Sequence, residues 1–238
     1  MKSICKNCKS EVEQNYCPNC GRKADLNRIN GRYIFTEITS VLYLDKGILY
    51  TIRELLIRPG STIRSFIKED RNRLVKPVIF IIICSLIYSL IRQILQFEDG
   101  YIHYNDSENS TAMYIFGWIS DNYGYGNLIM GIFIALWAKV LFKKFGYNFF
   151  EILILLCFVM GIGMLILALF GIIEGLTQLA VLQFGAILFV IYATWAIAQF
   201  FDKKKFSSYM KAFLAYFLGM LTFTLAIILI GNLIDFLV

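Results

Sequence analysis

The sequence predicts an all-α integral membrane protein of five transmembrane helices, preceded by a small cysteine-bearing unit and by amphipathic helices. Three observations lead there. Four stretches are almost without charge (Asn122–Ala138, Ile152–Ile173, Gly175–Phe201 and Ala212–Ile234), and a fifth, Pro77–Gln96, is broken only by Arg92. A bilayer core of about 30 Å takes roughly 20 helical residues, so these runs have spanning length. At 58% hydrophobic and 17% charged, the chain is too apolar for a soluble globule of 238 residues. The third observation is the sorting of its basic residues.

Fifteen of the 23 Lys and Arg lie in residues 1–76, against eight acidic residues there. The segment Phe97–Asp121 has no Lys or Arg but carries Glu98, Asp99, Asp106, Glu108 and Asp121. Lys139, Lys143 and Lys144 follow the second span, and Lys203, Lys204, Lys205 and Lys211 follow the fourth. The connection at Glu174 and the tail with Asp235 are free of basic residues. This alternation matches the positive-inside rule and predicts a cytoplasmic N-terminus and an external C-terminus. Anionic headgroups of the inner leaflet are the expected partners of the basic surface. Nucleic acid is not, because Glu11, Glu13 and Asp25 interrupt the basic residues of the head and no stripe forms. The polar start of the chain lacks the apolar segment of a signal peptide.

Residues 1–24 form the head, with Cys5-x-x-Cys8 and Cys17-x-x-Cys20 joined by an interval, Glu11–Tyr16, long enough for a hairpin-like return. Residues 25–76 are a linker followed by amphipathic helices. Tyr33–Ile57 has helical apolar spacing, with Gly47 as a point of division and Arg58-Pro59-Gly60 as its end. Ser61 is the expected cap of a second short helix through Glu69. These pieces are expected either on the inner membrane surface or over the ends of the spans. Residues 77–238 hold the spans, at about Pro77–Leu95, Asn127–Phe142, Phe149–Phe170, Ala180–Phe200 and Ala212–Leu233. The external loop 97–126 contains an apolar piece, Met113–Ile119, that reads as an interfacial helix anchored by Trp118. Gly161 and Gly163 read as internal packing positions. Without an internal repeat, the main sequence sign of an inverted-repeat transporter is missing.

The four cysteines are the strongest local signal. Two Cys-x-x-Cys pairs at short separation supply four thiolates for a tetrahedral ion, and a head with almost no apolar core needs the metal for its folding energy. A reducing cytoplasm argues against disulfides. Structural Zn²⁺ on Cys5, Cys8, Cys17 and Cys20 is the expectation, although the ligand set alone also admits iron. A closed four-thiolate site leaves no position for a catalytic water. Cys84 and Cys157 sit within spans and read as packing groups. His103 is the lone histidine and completes no triad. Arg92, Glu151 and Glu174 are the charges that a polar route through the bundle would need, and each can instead be placed at a membrane boundary. Gln178, Thr222, Thr224 and Asn232 are candidates for hydrogen bonds between helices. Walker, dinucleotide, serine-elbow and zincin motifs are absent.

Cys5-Lys6-Asn7-Cys8 and Tyr16-Cys17-Pro18-Asn19-Cys20-Gly21 resemble the zinc ribbon that heads an uncharacterised family of multi-span membrane proteins of Bacteroidota type. The resemblance continues through Asp45-Lys46-Gly47, Leu49-Tyr50-Thr51, Glu54-Leu55-Leu56, Arg58-Pro59-Gly60, Ile63-Arg64, Phe66-Ile67 and Lys76-Pro77. It implies a zinc-ribbon head on a helical membrane domain and supplies no reaction. With no acid–base constellation, the expected function is that of a non-enzymatic adaptor or assembly protein whose zinc head engages a cytoplasmic partner. The alternative is a small-solute or ion channel or transporter, formed by the bundle as an oligomer.

Overall fold

The computed structural model describes residues 3–4, 8–12, 17–20, 47–95 and 110–237. Cys5, the 33–46 part of the first amphipathic stretch and the loop 96–109 with His103 lie outside the described residues. The chain divides into two compact units, Met1–Asp45 and Lys46–Val238. In the first, β1 (Ser3–Ile4) and β2 (Glu11–Val12) pair antiparallel, Ser3 with Val12 and Ile4 with Glu11.

The second unit is helical throughout its described elements. It runs α1 (Ile48–Ile57), α2 (Pro59–Lys68), α3 (Pro77–Leu95), α4 (Thr111–Asp121), α5 (Tyr123–Leu141), a 3₁₀ turn (Lys143–Phe145), α6 (Phe149–Thr177), α7 (Leu182–Phe201) and α8 (Phe206–Leu237). Five of these helices are long and apolar enough to cross a bilayer: α3, α5 from Gly124, α6, α7 and α8. The chain is a multi-pass membrane protein. All five predicted spans are present, and three extend further than the sequence indicates. Asn148 starts α6 with a capping box: its side chain accepts from Glu151 N–H at 2.8 Å, and Glu151 Oε2 accepts from Asn148 N–H at 2.8 Å. The helix passes Gly171 and Gly175 and stops at Thr177, where Gln178 turns left-handed (φ 60°). Its 29 residues give about 43 Å of helix, more than a hydrocarbon core requires.

α6 is the hub of the bundle. It packs against α3, α5 and α7, while α8 lies across α5 and α7. Fourteen of its residues are buried, among them Leu155, Leu156, Phe158, Met160 and Leu167. Side chains therefore fill the middle of the bundle. Gly161 and Gly163 do pack internally, for added Cβ atoms would lie 2.6 Å from Phe80 Cε1 and 2.1 Å from Phe189 Cε2. On α3, Val78, Ile82, Leu86, Leu90 and Ile94 are exposed at four-residue spacing, which places them on one outward apolar face. Of the four polar candidates, Thr222 does link helices, accepting from Trp137 Nε1 at 3.3 Å.

α1 and α2 form an elbow over one end of this bundle. Arg58 (φ −146°, ψ 60°) breaks the helix because the following proline excludes the α conformation. Its N–H bonds Glu54 O at 2.9 Å and its carbonyl accepts from Thr62 N at 3.1 Å, so one residue ends α1 and begins α2. The second helix thus starts at Pro59, where a missing N–H costs nothing, and not after a Ser61 cap. The Ser61 hydroxyl instead donates to Arg58 O at 3.2 Å. Of the two expected placements, the elbow takes the one against the spans. Arg64 Nη1 donates to the carbonyls of Gln199 and Phe200 at 2.6 and 2.7 Å, satisfying the last turn of α7. Tyr192 Oη donates to Leu55 O at 3.2 Å, about 14 Å back along α7 from its last residue. Phe66 meets the edge of Phe158 on α6 at 5.4 Å.

The closest approach is at Gly60, where a Cβ would lie 2.2 Å from Gln199 O and 2.7 Å from Phe200 N, both backbone atoms. Gly60→Val should lower stability by about 2–3 kcal/mol, because neither helix can yield without parting the elbow from α7. Gly117→Ala, with nothing within 4 Å of the new methyl, should leave stability level or raise it by up to about 1 kcal/mol. Thermal unfolding in detergent reads both; equal midpoints for the two variants would contradict the contact.

Candidate metal centre

Cys8, Cys17 and Cys20 converge. Their sulfur atoms all lie within 4.8 Å of one another, and the Cys8 and Cys17 sulfurs are 3.4 Å apart. The local chain explains the convergence. β1 and β2 pair antiparallel, so Cys8, Lys9 and Ser10 lie in the connection between them, while residues 13–16 of the expected hairpin-like return lie outside the described residues. Within that connection Lys9 is left-handed (φ 59°), turning the chain sharply between Cys8 and Ser10. The second pair rides on a turn over residues 17–20 that contains Pro18 and Asn19. Cys17 is the buried centre of this small cluster, with Cys8 and Cys20 packed against it.

Ser10 has no ligand spacing to mark it in the sequence, yet it sits at the centre of the electrostatics. Its Oγ lies 2.7 Å from Cys8 Sγ and 3.3 Å from Cys17 Sγ. A hydroxyl donor there favours thiolate. Together with the backbone N–H groups of Cys20 and Asn19, it brings the Cys17 thiol down to about 6. Cys8 is lowered as well, chiefly by the Ser10 side chain and then by its backbone. Thiolates are the form that binds metal. Four sulfurs about 2.3 Å from a tetrahedral ion stand about 3.8 Å from each other, so three thiols this close fit such an ion. The structure thus holds a three-cysteine cluster able to coordinate a metal.

Each of the three charges considered for a polar route bonds a backbone group near a helix end. Arg92, near the end of α3, donates from Nη1 to Ser120 O in the last turn of α4. Glu151 is occupied in the α6 capping box. Glu174 Oε2 accepts from Leu182 N–H, the first residue of α7, at 2.7 Å.

A second polar cluster, at Glu54, was not singled out by the sequence reading. The carboxylate is 5% exposed. Arg58 grips it with two bonds of 3.0 Å, Arg73 Nη2 lies at 3.7 Å, and Thr62 Oγ1 donates at 3.5 Å. Arg73 also donates to Tyr50 Oη from two nitrogens at 3.0 Å. The Arg58 guanidinium, hydrogen-bonded to the carboxylate, holds Glu54 below its ordinary value despite desolvation. Its signal in the sequence is the four-residue spacing of Glu54 and Arg58, which places them on one helix face.

A family model described as "Protein of unknown function (DUF3667)" matches residues 45–89. That segment carries α1, α2 and the start of α3, and with them the whole Glu54 cluster; Cys8, Cys17 and Cys20 fall outside it. No curated protein and no solved structure matches the chain.

Two outcomes follow from this geometry. Cys17→Ser should reduce bound metal from about one ion per chain toward none while the bundle keeps its helicity, as read by elemental analysis and circular dichroism. Undiminished metal in that variant would remove the site. Glu54→Gln should destabilise the helical unit by about 2 kcal/mol at neutral pH, since two guanidinium groups lose their anion. A carboxylate with a lowered folded pKa contributes above its unfolded value and loses that contribution as pH falls through the folded one. The wild-type advantage in thermal unfolding should therefore begin to shrink as the pH falls below the ordinary Glu value of about 4.3, and vanish only below the lowered folded one.

Proposed function

We propose that this chain is a membrane-anchored, non-enzymatic adaptor or assembly protein whose zinc-bound head engages a partner protein on the cytoplasmic side of a bacterial inner membrane. The observation that carries this reading is the convergence of three thiols around one point, on a chain whose central span, α6, is buried along much of its length. Cys5 is the proposed fourth ligand. Zn²⁺ held by four thiolates keeps no open position for water, so its contribution would be to fix the two cysteine turns. The exposed residues between them, Lys9, Pro18 and Asn19, then form a rigid recognition surface.

Two further observations favour this reading over transport. α6 fills the centre of the bundle, and Arg92, Glu151 and Glu174 each bond to backbone at a helix end. The orientation rests on charge. The rings of Phe142 and Phe201 stack at 3.9 Å, so the connections bearing Lys143–Lys144 and Lys203–Lys205 share one end of the bundle. Asp121, Glu174 and Asp235 belong to the other. Basic connections on one side are the signature of the cytoplasmic face.

The test places a photo-crosslinking residue at Asn19 in the full chain, expressed in cells. A protein adduct is expected, or an adduct with a second copy of the chain, and it should disappear in Cys17→Ser while membrane insertion persists. Adducts indifferent to Cys17→Ser would defeat the proposal. So would solute or ion flux through liposomes containing the purified chain at a rate well above that of protein-free liposomes.

A further inference from the structure

A cleft of about 610 Å³ opens beside the start of α3, between α2 and α6. That volume is in the range of ligand-sized sites, about 300–1,000 Å³. Its lining combines two chemistries. Arg71, Asn72, Lys76, Asn148 and Glu151 are polar, and Val78, Phe150, Ile154 and Cys157 are apolar. From Glu151 to Cys157 the cleft follows α6 for about 9 Å, starting at the helix's first turn. The direction is thus from the membrane boundary into the span.

We propose that this cleft holds an anionic glycerophospholipid, its phosphate at Arg71 and Lys76 and the upper part of an acyl chain along Val78, Phe150 and Ile154. Three features select a lipid over a soluble anion. First, the wall is apolar where a free phosphate would need donors, and Phe150 and Val78 are 72% and 58% exposed. Second, Val78 is also the first residue of the outward stripe of α3, so the cleft is continuous with that exposed apolar face. Third, Arg71 and Lys76 outnumber the one carboxylate, Glu151, among the lining residues, so the lining is formally net positive. Basic pockets between spanning helices at the cytoplasmic surface suit anionic headgroups. The site belongs to the helical unit alone and does not depend on the metal head.

The experiment uses the full chain in phosphatidylcholine liposomes doped with phosphatidylglycerol that carries a photoreactive group on its acyl chain. Labelled residues are mapped by peptide mass spectrometry. Labelling should concentrate within residues 148–157 and be displaced by unlabelled phosphatidylglycerol, not by added phosphatidylcholine. Arg71→Gln and Lys76→Gln should each lower it roughly fivefold, the share expected of one basic residue at an anionic surface. Val78→Trp leaves the charges in place and should block the acyl half, also reducing the label. Circular dichroism and thermal unfolding confirm that each variant is folded. Equal labelling by a photoreactive phosphatidylcholine would mean ordinary surrounding lipid and would overturn the assignment. So would labelling unchanged in all three folded variants, or a cleft that crosslinks only to a second copy of the chain.

Discussion

In the interior of a bilayer no water is present to accept or donate a hydrogen bond, so every backbone group must find its partner within the protein. Helix interiors meet this demand by themselves; helix ends do not. Much of the charge in the helical unit is found answering it. Arg64 serves the final carbonyls of α7, Arg92 a final carbonyl of α4, and Lys139 Nζ the carbonyl of Tyr147 just before α6. Acidic groups serve the opposite ends. Glu151 and Asn148 close the start of α6, Glu174 takes the first N–H of α7, and Asp235 takes that of α4 at 3.1 Å. The signs agree with the helix dipole for Arg64, Arg92, Glu151, Glu174 and Asp235. Charges that look like candidates for a conduction path are, by position, the means by which each helix terminates.

The same constraint shapes packing. Lipid tails are as apolar as leucine, so association between spans draws on close contact rather than on exclusion from water. This accounts for the small residues at the tightest crossings. A Cβ at Gly219 would meet Ile134 Cα at 2.7 Å, joining α5 to α8, and one at Gly185 would meet Phe170 at 2.8 Å, joining α7 to α6. It also explains the aromatic knot beyond the α5 and α7 termini. There Phe142, Phe145, Tyr147, Phe200 and Phe201 stack or meet edge to face, with ring centroids 3.9 to 6.0 Å apart across their contacts. The knot lies beside the Arg64 and Gly60 contacts, so the elbow and the 3₁₀ turn brace the same end of α7.

The spans were legible because hydrophobicity summed over twenty residues is a strong local signal. Their limits were less so, for local reasons. Glycine in a membrane helix does not end it, which carried α6 past Gly171 to Thr177. Proline at the first position of a helix is welcome, which moved the start of α2 back from Ser61 to Pro59. The cysteine ligands were legible from spacing, but Ser10 was not, since its role comes from the turn that folds it against two thiols. Least readable was the docking of the elbow. Arg64 and Gln199 are 135 residues apart, and nothing at either position announces the other.

The two units answer to different stabilising forces, and that difference bears on how the chain can work. The helical unit has a continuous buried core, from Leu55 and Ile63 in the elbow through Phe158 and Met160 to Ala212 and Tyr216. Among the described residues, the cysteine cluster has Cys17 as its buried centre with two thiols against it. Apolar burial of that size alone does not offset the conformational entropy of ordering even a short chain. A metal held by these thiols would add folding free energy to the head, and none of the three thiols belongs to the buried core of the bundle. On the proposed reading, a head ordered by an ion and attached to a bundle with its own core would lose or regain its recognition surface without leaving the membrane.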